Sequence, residues 1–171
     1  MLANTYSEML RLNVGHVLSR SVGFRWEIPI SGEQVAVTSD LMLARLTGEV
    51  HLTRTPPGIL VEGALYATRD MECVRCLSAY ALPAEVNMSE LYTYPPDPEA
   101  EWTIDEDCVL NITALVRELL LVEEPMQALC SPDCKGLCPA CGEDWNLDGC
   151  ACPCESGDAR FAVLQELLGS D

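Results

Sequence analysis

Ten cysteines dominate the chemistry this chain could do. Cys73 and Cys76 form one C-x2-C pair. Cys130, Cys134, Cys138 and Cys141 follow at spacings x3, x3, x2, then Cys150, Cys152 and Cys154 alternate, while Cys108 stands alone. Tetrahedral zinc takes four such ligands at about 2.3 Å. A C-x2-C turn aims two sulfurs at one ion while nearby backbone N–H groups offset their charge. Cys138-Pro139-Ala140-Cys141-Gly142 reads as a zinc knuckle, with Gly142 available for the tight turn. Cys150 lies nine residues beyond Cys141 and Cys152 two further, so Cys138, Cys141, Cys150 and Cys152 make one compact site. Cys154 is in reach as a replacement for Cys150 or Cys152. A second zinc site would join Cys73 and Cys76 to the unused pair, Cys130 and Cys134. The other reading of Cys73 and Cys76 is free thiols, or a disulfide formed after purification.

These residues do not make a reaction centre. A catalytic zinc keeps one position open and uses His or carboxylate among its ligands. The only histidines are His16 and His51, and neither sits near a cysteine group. The deaminase pattern H-x-E with P-C-x-x-C, the G-x-S-x-G elbow, the P-loop and G-x-G-x-x-G are all absent. A redox role for Cys73-Val74-Arg75-Cys76, with Arg75 lowering a thiol pKa, lacks a thioredoxin-like βαβ setting. The expectation is a non-enzymatic protein that zinc braces.

The elements that must position these thiols are mostly strands. From Arg45 to Arg54 the residues alternate, with Leu46, Val50 and Leu52 on one face and Arg45, Thr47, Glu49, His51 and Thr53 on the other. Thr55-Pro56-Pro57-Gly58 is a turn, and Ile59 to Arg69 returns as the second strand of a hairpin. Leu82, Ala84, Val86 and Met88 mark a third strand, and earlier ones are expected near Leu10–Val14 and Val22–Ile30. Residues 95–107 hold three prolines and six acids and read as a solvated loop. Asn111 caps a helix whose stripe is Ile112, Leu115, Val116, Leu119 and Val122, with Pro125 past its end. Asp158 is placed to cap a last helix carrying Phe161, Leu164, Leu167 and Leu168. Cys108 reads as a core thiol, His51 as exposed, and Trp26, Trp102 and Trp145 as packing residues. The fold class is α+β, an antiparallel β-sheet or open barrel with C-terminal helices and a cysteine-rich zinc-binding segment. Residues 1–125 would form the β domain with one helix. Residues 126–171 would form the zinc-binding segment with the last helix packed on it.

Composition limits the partners. The chain has 171 residues, 49% of them hydrophobic and 22% charged, which is globular and not disordered. The net charge is -17: residues 1–60 carry five basic and five acidic residues, and residues 61–171 carry five basic and 22 acidic. Eight thiolates holding two zinc ions would add four more negative charges. Such a surface repels phosphate backbones and suits a basic protein partner, or serves nothing beyond solubility. Direct RNA contact would need Arg11, Arg20, Arg25, Arg45 and Arg54, in the neutral N-terminal part. No run approaches the roughly 18–20 apolar residues of a membrane span, and Met1–Glu8 has neither the basic nor the apolar region of a signal peptide. A cytoplasmic, reducing setting is expected, where clustered cysteines are metal ligands before they are disulfides.

The assembled motifs resemble one family. Met71-Glu72-Cys73-Val74-Arg75-Cys76-Leu77 is similar to the C-x-R-C-L motif of the YceD family, the large ribosomal RNA subunit accumulation proteins. Leu129 to Gly142 resembles its C-x3-C-K-G-L-C-P-x-C-G signature, and Cys150-Ala151-Cys152 its C-x-C. Asp158-Ala159-Arg160-Phe161-Ala162-Val163-Leu164 resembles its D-P-R-L-A-x-L ending, with Ala159 in place of Pro and Phe161 in place of Leu. Cys154 is an addition to the pattern. The resemblance implies a role in ribosome biogenesis, in accumulation of large-subunit ribosomal RNA, with no established catalysis. Genes of such proteins often neighbour that of a small basic zinc-ribbon ribosomal protein. Some members keep the first C-x2-C without the second cluster, with a His and a Cys near the positions of Cys130 and Cys134. That implies Cys73, Cys76, Cys130 and Cys134 as a separate site. The partner expected is a basic ribosomal protein or a preribosomal particle.

Overall fold

The computed structural model describes residues 8–147 and 150–152. Four long strands make one antiparallel sheet in sequence order: β2 (Arg25–Thr38), β3 (Leu41–Thr55), β4 (Gly58–Glu72) and β5 (Ala79–Thr93). A second, two-stranded sheet pairs β1 (Arg11–Asn13) with β6 (Val109–Asn111). The other described elements are a 3-10 turn at Glu8–Leu10 and two α-helices, the short α1 (Gly15–Leu18) and α2 (Thr113–Val122). None is long and apolar enough to cross a membrane.

Alternation sets the strands. Leu46, Val50 and Leu52 of β3 and Val61 and Leu65 of β4 have no solvent exposure, while Glu49 and Glu62 face outward. The strands run further than the alternation alone marks. β2 begins at Arg25 instead of Val22 and continues to Thr38 through an irregularity at Ala36/Thr38. Ser31-Gly32-Glu33 stays in the strand, paired with Thr47, Leu46 and Arg45, and Gln34 beyond it adopts φ 51°.

The α+β reading holds, and the sheet is open, not closed. α2 packs against both edge strands, β2 and β5, and lies where a barrel would close. Two glycines permit close approach of β3 and β4. A Cβ on Gly48 would lie 2.2 Å from the Ala64 carbonyl oxygen, and one on Gly63 would lie 2.3 Å from that of Glu49. The apolar core fills the side carrying β1, α1 and α2, with Leu10, Val14, Ile112 and Val116 fully or nearly fully buried against it.

Several local expectations change. The N-cap of α2 is Ile112, not Asn111, and it offers no capping side chain; Asn111 sits one residue earlier, where its Oδ1 accepts the Thr113 N–H at 3.0 Å. The buried face ends on Leu120, however, and Val122 is 80% exposed. Cys108 is half-buried at the rim, not a core thiol. It adopts φ 58° to end a turn in which its N–H reaches the Asp105 carbonyl at 2.9 Å. The acidic loop is tied down at its far end. Ile104 is fully buried and its N–H donates to the Thr93 carbonyl at 3.0 Å. His51 is half-buried, its Nδ1 3.5 Å from a Glu27 carboxylate oxygen. Trp26 packs on the core with its ring edge-on to His16, and Trp102 lies against Tyr92. The expected last helix and Cys154 lie outside the described residues.

Candidate metal centres

The tip of the β4–β5 hairpin is the first knuckle. Glu72 pairs with Ala79, so residues 73–78 form the connection itself. The Cys73 N–H donates to the Ser78 carbonyl at 2.9 Å, and the Leu77 N–H returns to the Cys73 carbonyl at 2.9 Å. Leu77 sits at φ 60°. The second knuckle repeats this turn. The Cys138 N–H donates to the Glu143 carbonyl and the Gly142 N–H to the Cys138 carbonyl, both at 2.8 Å, with Gly142 at φ 76°. Both loops use the same backbone device to present two thiols on one side.

From α2 the chain returns to the hairpin tip. Arg69 and Glu124 form an ion pair at 2.8 Å, and the Val74 N–H donates to the Ala128 carbonyl at 2.9 Å. Cys130 and Cys134 thereby arrive over the first knuckle. The Sγ atoms of Cys73, Cys76, Cys130 and Cys134 all lie within 4.8 Å of one another. Cys73 and Cys134 are 3.7 Å apart, Cys76 and Cys130 3.6 Å. A tetrahedron of metal–sulfur bonds of about 2.3 Å has sulfurs about 3.8 Å apart, whereas a disulfide would need about 2.05 Å. The geometry therefore fits a four-coordinate ion. The Sγ atoms of Cys138, Cys141, Cys150 and Cys152 form the second such group.

Electrostatics favours anionic sulfur at one position in each group. Burial pushes the Cys73 thiol up, but N–H groups of Cys130, Cys76 and Arg75 outweigh it and bring it down to about 6. N–H groups of Cys141 and Ala140 bring Cys138 to about 6. The remaining protons are held elsewhere. Sharing with Cys76, and then burial, pushes Cys130 up to about 12. Sharing with Cys141 and Cys150 does the same for Cys152. A divalent cation would replace those protons, and four thiolates make a closed site of the structural kind. The Arg75 side chain acts elsewhere than on a thiol: its guanidinium donates to the Cys134 carbonyl at 2.9 Å, and only its backbone N–H bears on Cys73.

Two neighbours of the sulfurs were not legible from spacing. The Trp145 indole N–H lies 3.4 Å from Cys150 Sγ, and Asn146 Nδ2 lies 3.4 Å from Cys134 Sγ. Neither belongs to a ligand motif, so only the folded loop brings them in. Among the described residues a third group of metal-ligand types, Glu27, Glu49 and His51, sits on the outer sheet face. Arg25 Nε forms an ion pair with Glu27 at 3.7 Å, and His51 Nδ1 lies 3.5 Å from the same Glu27 oxygen.

The uncharacterized protein Rv2926c of Mycobacterium tuberculosis is 32% identical over 135 residues, covering 75% of this chain and 64% of that protein. The chain thus spans less than two thirds of that relative's length. YlbN of Bacillus subtilis is 33% identical over 105 residues, covering 59% of this chain and 61% of that protein. No solved structure matches. The model of the family described as "Large ribosomal RNA subunit accumulation protein YceD" matches residues 61–168, a stretch holding all eight clustered thiols. The chain therefore belongs to the YceD family.

Proposed function

We propose that this protein is a non-enzymatic factor of ribosome biogenesis that supports accumulation of large-subunit ribosomal RNA. In this reading zinc occupies both four-cysteine groups, and the acidic surface holds a basic ribosomal protein or a preribosomal particle. The family's description supplies the ribosomal direction. The carrying observation is the pair of all-thiol groups, each with its four sulfurs within 4.8 Å and the first with pairs at tetrahedral spacing, with no His or carboxylate in either. Such sites hold chain segments together and leave no open position for a substrate. Residues 126–171 are then a segment braced by zinc, and the first site draws two ligands from each side of residue 125.

Direct RNA binding is the weaker reading, because four of the five arginines it needs, all but Arg11, already have partners within the chain. Arg25 pairs with Glu27 at 3.7 Å and Arg45 with Glu33 at 3.2 Å. Arg54 donates to the Gly58 carbonyl at 2.8 Å and also to that of Thr55, bracing the hairpin turn. Arg20 lies over the Phe24 ring. The test is retention of ribosomal proteins or particles on immobilised protein at low and high salt. The acidic-surface reading expects salt-labile retention that survives Arg20→Glu/Arg25→Glu. No retention at either ionic strength overturns it, and loss in that variant transfers the case to RNA.

A further inference from the structure

We infer that Trp145 and Asn146 couple the two four-thiol groups, so that metal bound at either one raises the affinity of the other. The inference rests on the reading that both groups hold metal. The two residues are adjacent in the loop between Cys141 and Cys150, which belongs to the second group. Trp145 donates its indole N–H to a sulfur of its own group, Cys150, at 3.4 Å. Asn146 donates instead to Cys134 of the first group, also at 3.4 Å.

The orientation of Asn146 is determined by its partners. Its Oδ1 accepts the Lys135 N–H at 2.8 Å, and its Nδ2 faces the Asp144 carboxylate at 2.6 Å. A flipped amide would set oxygen against carboxylate and N–H against N–H, so Nδ2 is the group presented to Cys134. The intervening chain is held from both sides. Arg75 of the first knuckle grips the Cys134 carbonyl at 2.9 Å, and the Trp145 N–H grips the Gly136 carbonyl at 3.0 Å. Gly136, at φ 76°, lies against Arg75, where a Cβ would come within 3.1 Å of the Arg75 oxygen. Residues 134–136 are therefore clamped between the two knuckles.

A metal in the second group fixes the loop at Trp145 and Asn146 and sets Asn146 in place to donate its N–H to the Cys134 sulfur. Linkage requires the converse as well. Outer hydrogen-bond partners of metal ligands typically change affinity about 10–100-fold.

The experiment uses the full chain loaded with cadmium and read by cadmium NMR during chelator competition. A Cys73→Ser/Cys76→Ser variant assigns the two resonances. Asn146→Asp keeps the acceptor for Lys135 but turns a carboxylate oxygen toward Cys134. Cys138→Ser/Cys141→Ser empties the second group. Each change is expected to weaken the first group about 10–100-fold, and the combination to weaken it no further than Cys138→Ser/Cys141→Ser alone. Asn146→Ala, which removes the donor without adding charge, is expected to weaken it in the same direction. Circular dichroism of the sheet verifies folding throughout. Unchanged affinity in Cys138→Ser/Cys141→Ser, or losses that add, overturns the coupling. Two ions bound independently overturn this inference alone, whereas a wild-type chain that takes up no metal overturns the zinc reading with it.

Discussion

Stripping metal from the protein is expected to melt residues 128–152 while the four-stranded sheet stays folded. The reason is a division in the buried residues. The sheet core forms one cluster running from Leu10 to Leu120. Cys73, Cys76 and Cys134, with Tyr80, Leu129 and Leu137 partly buried around them, form a separate, small one. Ordering about 25 residues costs at least roughly 25 kcal/mol of backbone entropy at about 1 kcal/mol each. The small cluster offsets about 4 kcal/mol of that, taking part-burial of three large side chains at about 25 cal/mol per Å². Some 20 kcal/mol remains, which two structural zinc ions at about 10 kcal/mol or more apiece can supply. The assay is hydrogen exchange before and after a strong chelator. Amides of 128–152 should lose protection, those of β3 and β4 should keep it, and zinc should restore the first set. Retained protection in 128–152 after metal removal would refute the reasoning. So would collapse of β3 and β4 together with that segment.

Three further outcomes follow from local geometry. Leu77 holds the left-handed conformation that Gly142 holds in the other knuckle. Leu77→Val should therefore cost about 1–2 kcal/mol while Leu77→Gly stays close to neutral, read as urea midpoints; equal effects would deny the strain. Gly48→Ala should destabilise by about 2–4 kcal/mol in the same assay, because its Cβ meets the Ala64 carbonyl; a neutral substitution would contradict the close approach. The Arg117 hydrogen bond holds the Asp40 carboxyl down to about 2 from 3.8. Between those values the unfolded chain binds more protons, so the stabilisation is present above about 3.8 and lost as pH falls through about 2. A carboxyl titration by NMR should find that low midpoint in the wild type and a return toward 3.8 in Arg117→Ala; an unshifted wild type would count against the pair.

The strands and the knuckles were legible because each rests on local stereochemistry. Alternation at period two gave Leu46, Val50 and Leu52 their shared face, and the C-x2-C spacing marked both metal turns. The full length of β2 was not legible. Ser31-Gly32-Glu33 has the composition of a turn, and only pairing with Thr47, Leu46 and Arg45 keeps it extended. The stripe of α2 missed Leu120 and included Val122 because helical spacing gives a face without saying where the supporting sheet ends.

Residue order alone thus determined a cysteine-rich, acidic chain of antiparallel strands and an amphipathic helix, since these depend on neighbours a few positions apart. Which four thiols meet was decided by packing. Cys76 and Cys130 are 54 positions apart in the chain and 3.6 Å apart in space. They are joined by the path of α2 over the sheet and by the Arg69–Glu124 ion pair. Asn146 reaches a sulfur of the other group for the same reason: a contact across two loops depends on where both come to rest, and no local spacing encodes that.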